Sequence, residues 1–196
     1  MDDIRTSVLP LLPLATGVVL PGMVVTMVIE SDEATAAIDA ADLSDSRILL
    51  VPRHDDRYAR VGTVAKVEDS GELPSGLRAV VVRGLHRATV GIGVPAPSGS
   101  ALWVQAEPVA TDLEPSPRAR ELAREYRAVV ENILDHRGAG GLAEALRGIS
   151  DPGTMADTAG YSPDLSFEQK MEVLETVDVD ARLEKVLPGP ARRLPT

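Results

Sequence analysis

Between about residues 8 and 109 the apolar positions fall in short, β-branched runs divided by glycine, proline and aspartate, a pattern that reads as strands. The runs cover residues 23–29, 47–51, 61–67, 77–83, 87–92 and 102–106. Leu73-Pro74-Ser75-Gly76 sits between two of them and reads as a turn, with proline fixing φ and glycine open to φ > 0. This many short strands in about 100 residues predicts a small barrel or sandwich. One helix interrupts them. Ser31 is its N-cap, Asp32 and Glu33 complement the positive end of its dipole, and Ala34, Ala37, Ile38 and Ala41 follow at helical spacing.

The period then changes. The segment 112–117, with two prolines and two acids, reads as a linker. Leu122, Tyr126, Val129, Val130 and Ile133 form a helical stripe that Gly138 to Gly141 stops. A shorter stripe follows at Leu142, Ala145, Leu146 and Ile149, and Asp151-Pro152 starts a third helix with proline in its tolerated first position. Ser166 to Gln169 has capping-box spacing, and Val179, Leu183, Val186 and Leu187 supply the last helix. The expected fold is therefore α+β. A β-rich module over residues 1–112 precedes a helical module over 118–187, and residues 188–196 form a flexible tail.

Composition narrows the function. The 196 residues carry 20 basic and 30 acidic side chains, a net charge of −10, and no cysteine. Disulfides, thiolate chemistry and cysteine-ligated zinc are excluded. Pro10, Pro13 and Pro21 break the most apolar stretch, which is too short to span a membrane, and Asp2 and Asp3 oppose a signal peptide. The chain reads as cytoplasmic. Residues 1–46 hold eight acids against Arg5 alone, so the basic footprint of a nucleic-acid binder is missing overall. Neither H-E-x-x-H nor G-x-x-x-x-G-K-[ST] occurs, and no metal or cofactor is expected. His54, within Arg53-His54-Asp55-Asp56-Arg57, reads as part of a solvated polar loop. His86 with Arg78, Arg83 and Arg87 could form a local basic face, which keeps RNA binding as an alternative.

The informative segment is Leu11 to Val25. Proline cannot donate to a sheet ladder, so Pro10, Pro13 and Pro21 mark edges or strand ends. Apolar side chains there can receive an extended peptide, and methionine adapts to varied partners. The candidate binding residues are Leu12, Leu14, Leu20, Pro21, Met23 and Met27.

The same residues carry a family resemblance. Leu11-Leu12-Pro13-Leu14, Val19-Leu20-Pro21-Gly22-Met23, Ile48-Leu49-Leu50-Val51, Val61-Gly62-Thr63-Val64-Ala65 and Val82-Arg83-Gly84-Leu85-His86-Arg87-Ala88, in that order, resemble the N-terminal domain of Lon ATP-dependent proteases. Ser150-Asp151-Pro152, Met155-Ala156-Asp157-Thr158 and Val173-Leu174-Glu175-Thr176-Val177-Asp178-Val179 extend the likeness through about residue 187 and point to the actinobacterial type. The resemblance implies a PUA-like β-barrel followed by a helical bundle. It also implies recognition of unfolded or damaged proteins and a part in assembling or gating a hexamer. In that family the ATPase and serine-protease modules lie later in the chain, so this segment is expected to be catalytically inert. The alternatives are a PUA-like module binding RNA or a small ligand, and a purely structural assembly domain.

Overall fold

The chain reverses where its turn residues fall. In the computed structural model, which describes residues 6–97, 99–110 and 114–187, seven strands precede most of the helices. They are β1 (Ser7–Leu14), β2 (Val24–Ile29), β3 (Arg47–His54), β4 (Arg57–Tyr58), β5 (Val61–Glu72), β6 (Arg78–Val94) and β7 (Trp103–Pro108). Helix α1 (Asp32–Ala41) lies between β2 and β3, with the Ser31 hydroxyl accepting from the Ala34 amide at its start. The expected tail at 188–196 lies outside the described residues, as do 111–113 of the linker.

The sheet closes on itself. Its order β1-β7-β6-β5-β3 is completed by a parallel β1–β3 pairing, giving a five-stranded barrel, and β2 pairs with β6 outside that ring. Closure means that β1 is not an edge strand along its whole length, so its prolines mark locally unladdered sides and, at Pro13, a strand end. Residues Ser7 to Pro10 ladder with β7, and Leu11 to Leu14 ladder with β3. Each half of β1 thus leaves one side unladdered, where a missing N–H forfeits no sheet bond. Successive residues on β1 and β3 feed opposite cores. Leu9, Leu11, Leu49 and Val51 enter one cluster, while Leu12, Ile48 and Leu50 enter another. Burial on both faces is why these strands read as continuous apolar runs.

The runs expected at 77–83 and 87–92 are one strand, β6. Ala65 stands opposite Gly84 and Val64 opposite His86, so Leu85 has no partner and forms a bulge that bends the strand. Before the bend β6 pairs with β2, and after it with β7. A Cβ on Gly84 would lie 2.5 Å from the Leu20 carbonyl oxygen, so glycine is what lets the Leu20 loop pass this close.

Helices α2 (Pro117–His136), α3 (Gly140–Arg147), α4 (Pro152–Asp157), α5 (Phe167–Glu175) and α6 (Val179–Val186) make up the second half. Their starts are capped by Ser116, Asp151, Ser166 and Asp178 at α2, α4, α5 and α6, and Ser166 with Gln169 forms the expected capping box. A single cluster of buried side chains joins this half to the strands, running from Leu12, Leu20 and Val82 to Leu122, Met155, Leu174 and Leu183.

Candidate functional site

The six candidate residues separate into two groups. Leu12, Leu20 and Met23 are 3%, 0% and 5% exposed and belong to the core, whereas Leu14, Pro21 and Met27 are half-buried. The first three are therefore corrected: they are not an open docking ledge. The reason is tertiary. Leu20-Pro21-Gly22-Met23 is a tight turn closed by the Met23 amide donating to the Leu20 carbonyl at 3.1 Å, with Gly22 at φ +83°. Met23 Sδ turns back to accept the Leu20 amide at 3.2 Å. The helical half then covers the turn, so closely that a Cβ on Gly160 would overlap Met23 Sδ. The apolar ledge docks its own chain.

An ionic cluster holds the two halves together. Asp157 at the end of α4 accepts from both terminal nitrogens of Arg87 on β6 at 2.7 Å, and from Arg182 Nη1 on α6 at 3.0 Å. Arg87 also donates to the Leu174 and Val173 carbonyls at 2.9 and 3.3 Å. All three side chains are at most 7% exposed. Burial pushes the Arg182 guanidinium below its ordinary value, opposed by Asp157 and reinforced by Arg87. Lesser contacts surround the cluster: the Arg60 amide donates to Glu175 Oε1 at 2.7 Å, and His54 approaches Glu168 at 3.7 Å and the Phe167 ring. His54 is thus part of the junction between the two halves rather than a purely solvated loop residue.

The basic face kept as an alternative is not presented. Arg87 is committed to Asp157, Arg78 pairs with Asp39 at 2.5 Å, and Arg83 pairs with Glu68 at 2.5 Å. The Arg83 hydrogen bond holds the Glu68 carboxyl below its usual value.

One apolar surface that does face solvent is the outer side of β2; Ile92, Leu102 and Val8 are exposed elsewhere, on or beside the strands. Val24, Thr26 and Val28 point outward, the two valines 38% and 44% exposed, beside Val81 and Ala79 of β6. On the other side of the strand, Val25 and Met27 pack partly against the core. Tyr161, in the 3-10 turn Thr158–Tyr161 after α4, is 57% exposed, and its hydroxyl accepts the Val24 amide at 2.9 Å. Sequence reasoning missed Val24, Val28 and Tyr161. In a run of six residues in which only Thr26 is polar, no alternation tells which face is wet, and Tyr161 reaches the strand from 137 residues away.

Among the described residues no group of three or more His, Asp or Glu is placed to hold a metal ion, and no helix is long and apolar enough to cross a membrane. This surface offers apolar contact and backbone hydrogen bonding.

A closed barrel with an additional outward strand, keyed to a small helical body, defines the class: a mixed α+β binding module. The chain belongs to the Lon family's substrate-binding domain, described as the ATP-dependent protease La (LON) substrate-binding domain, which matches residues 8–188. It is 49% identical over 181 residues to the Lon protease of Salinispora arenicola, covering 91% of this chain, and 45% identical over 184 residues to that of Mycolicibacterium smegmatis, covering 93%. It spans 23% of the length of each of these relatives. The N-terminal domain of a Mycobacterium avium complex Lon protease superposes with a TM-score of 0.85 at 39% identity, over 92% of this chain and 96% of that one. The Lon N-terminal domain protein from Xanthomonas campestris, at 23% identity and a TM-score of 0.64 over 92% of this chain and 96% of that one, shares the fold.

Proposed function

We propose that this domain recognises exposed apolar segments of unfolded or damaged proteins on behalf of an ATP-dependent Lon protease, without itself making or breaking bonds. The observation that carries the reading is the exposed apolar stripe of Val24 and Val28 with Tyr161, in a chain belonging to a substrate-binding family. Leu14, Pro21 and Met27, half-buried nearby in sequence, remain candidate contacts. Full burial of one such side chain contributes about 1.5–3 kcal/mol, so two or three anchors offset the cost of association only to micromolar or weaker binding. Multivalency in a hexamer of the full-length protease, in the cytoplasm, would raise the effective affinity. The net charge of −10 favours basic or neutral clients over acidic ones, an effect that salt weakens.

Titrating the chain with the native and heat-unfolded forms of one protein tests this reading. Preference for the unfolded form is expected, and equal affinity for both overturns it. A pure assembly domain differs in one result: Val24→Asp with Val28→Asp would leave capture of the unfolded form unchanged. RNA binding is opposed by the ion pairing of Arg78, Arg83 and Arg87.

A further inference from the structure

The edge of β2 has a feature distinct from its apolar face. Among the described residues β2 pairs with β6 and with no other strand. The Val24 amide points away from β6, because it donates to Tyr161, and antiparallel alternation directs the Thr26 and Val28 amides and carbonyls to the same open side. Natural sheets blunt such edges with lysine, proline, bulges or very short strands. The sequence of β2, Val-Val-Thr-Met-Val-Ile, has no charge and no proline, its pairing with β6 runs without a register shift, and its composition has high β-propensity.

We propose that β2 is a strand-addition site: an extended, apolar client segment with flanking basic residues pairs its backbone with the open edge from Thr26 to Val28. This rests on the client-recognition reading and specifies how the client is held. The backbone groups give affinity without regard to sequence, as a binder of many clients requires, while the outward valines and the Tyr161 ring favour apolar side chains. The preference for basic flanks follows from Glu30 and Asp32, both exposed at the exit of the strand, where Glu33 is already paired with Arg53 at 3.5 Å. A second copy of this chain is a poor occupant, since each copy carries −10 and the edge itself offers no compensating cation. Tyr161 sets the limit of the site by occupying the amide donor at Val24.

The probe is a fluorescein-labelled peptide of alternating valine and threonine, about ten residues long, with a lysine at each end. Its control is the same peptide N-methylated at every amide between the lysines, which keeps the side chains and removes the donors. Fluorescence anisotropy should show the methylated peptide binding about tenfold more weakly or worse. Thr26→Pro removes an outward donor without breaking the β6 ladder, and Thr26→Lys places a charge on the edge. Both should weaken the parent peptide similarly, with circular dichroism confirming the fold. Equal binding of both peptides overturns strand addition and leaves side-chain docking of clients standing. Unfolded-protein binding without peptide binding overturns it likewise. Failure of both peptide and unfolded protein to bind refutes the client-recognition reading as well. Self-association that Thr26→Lys abolishes would assign the edge to a second copy and overturn the proposal.

Discussion

Asp157→Ala is the sharpest test of how the two halves are joined. In the folded chain its carboxylate is shared by Arg87 and Arg182, with four contacts between 2.7 and 3.0 Å and all three side chains at most 7% exposed. Removing it leaves two buried guanidiniums facing each other without a counter-ion. Breaking a buried pair in this way costs about 3–5 kcal/mol. The lower part of that range is expected, because Arg87 keeps the Leu174 and Val173 carbonyls and Arg182 keeps that of Val177. At about 2–4 °C per kcal/mol for a domain of this size, the midpoint should fall by about 6–12 °C. Thermal unfolding for the midpoint and urea unfolding for the free energy, each followed by far-ultraviolet circular dichroism, for the helices, and by fluorescence of Trp103, buried among the strands, give the measurement. Because one buried cluster joins both halves, the two probes should move together. A companion variant, Arg87→Met with Asp157→Leu and Arg182→Met, removes the desolvation penalty with the charges and should destabilise less than Asp157→Ala alone. A loss below about 1 kcal/mol for Asp157→Ala, or the reverse order of the two variants, would refute the reasoning.

Three further outcomes are expected. Gly84→Ala forces a Cβ to 2.5 Å from the Leu20 carbonyl oxygen and should destabilise by about 1–3 kcal/mol in the same urea assay. Glu168, in the first turn of α5, is held below its ordinary value of 4.5 chiefly by its backbone and Ser166 hydrogen bonds. A lowered carboxylate contributes stability that is complete above pH 4.5 and is lost as pH falls through the folded value, so Glu168→Gln should flatten the acid limb of the stability curve and leave it unchanged in shape above pH 4.5. Tyr161→Phe removes an exposed acceptor, so the unfolding free energy should fall by no more than the worth of one hydrogen bond, about 1 kcal/mol, in the urea assay. Binding of the valine–threonine peptide should be retained or strengthened in that variant, since the Val24 amide is released, and a tenfold loss would argue against the open-edge geometry.

Much of the fold was legible because its signals are local. The capping box at Ser166, the proline start at Pro152, and the Leu73–Gly76 turn each depend on residues within one turn of chain. Likewise, the change from strand runs to helical stripes separated β1 to β7 from α2 to α6. The family resemblance was legible for a related reason: it rests on the order of short motifs, which needs no coordinates.

The binding surface was not legible in the same way. Leu20 and Met23 look as apolar as Val24 and Val28, and nothing in a linear string says that Gly160 closes over the first pair while the second faces water. Nor does the string say that β1, despite Pro10 and Pro13, is enclosed by barrel closure while β2, with no proline, is left on the rim. The sequence by itself determined which segments become strands and helices, because periodicity, caps and turns act over a few residues. Only the tertiary structure decided which apolar residues are core and which are surface, because burial and edge status depend on contacts between segments as far apart as Val24 and Tyr161.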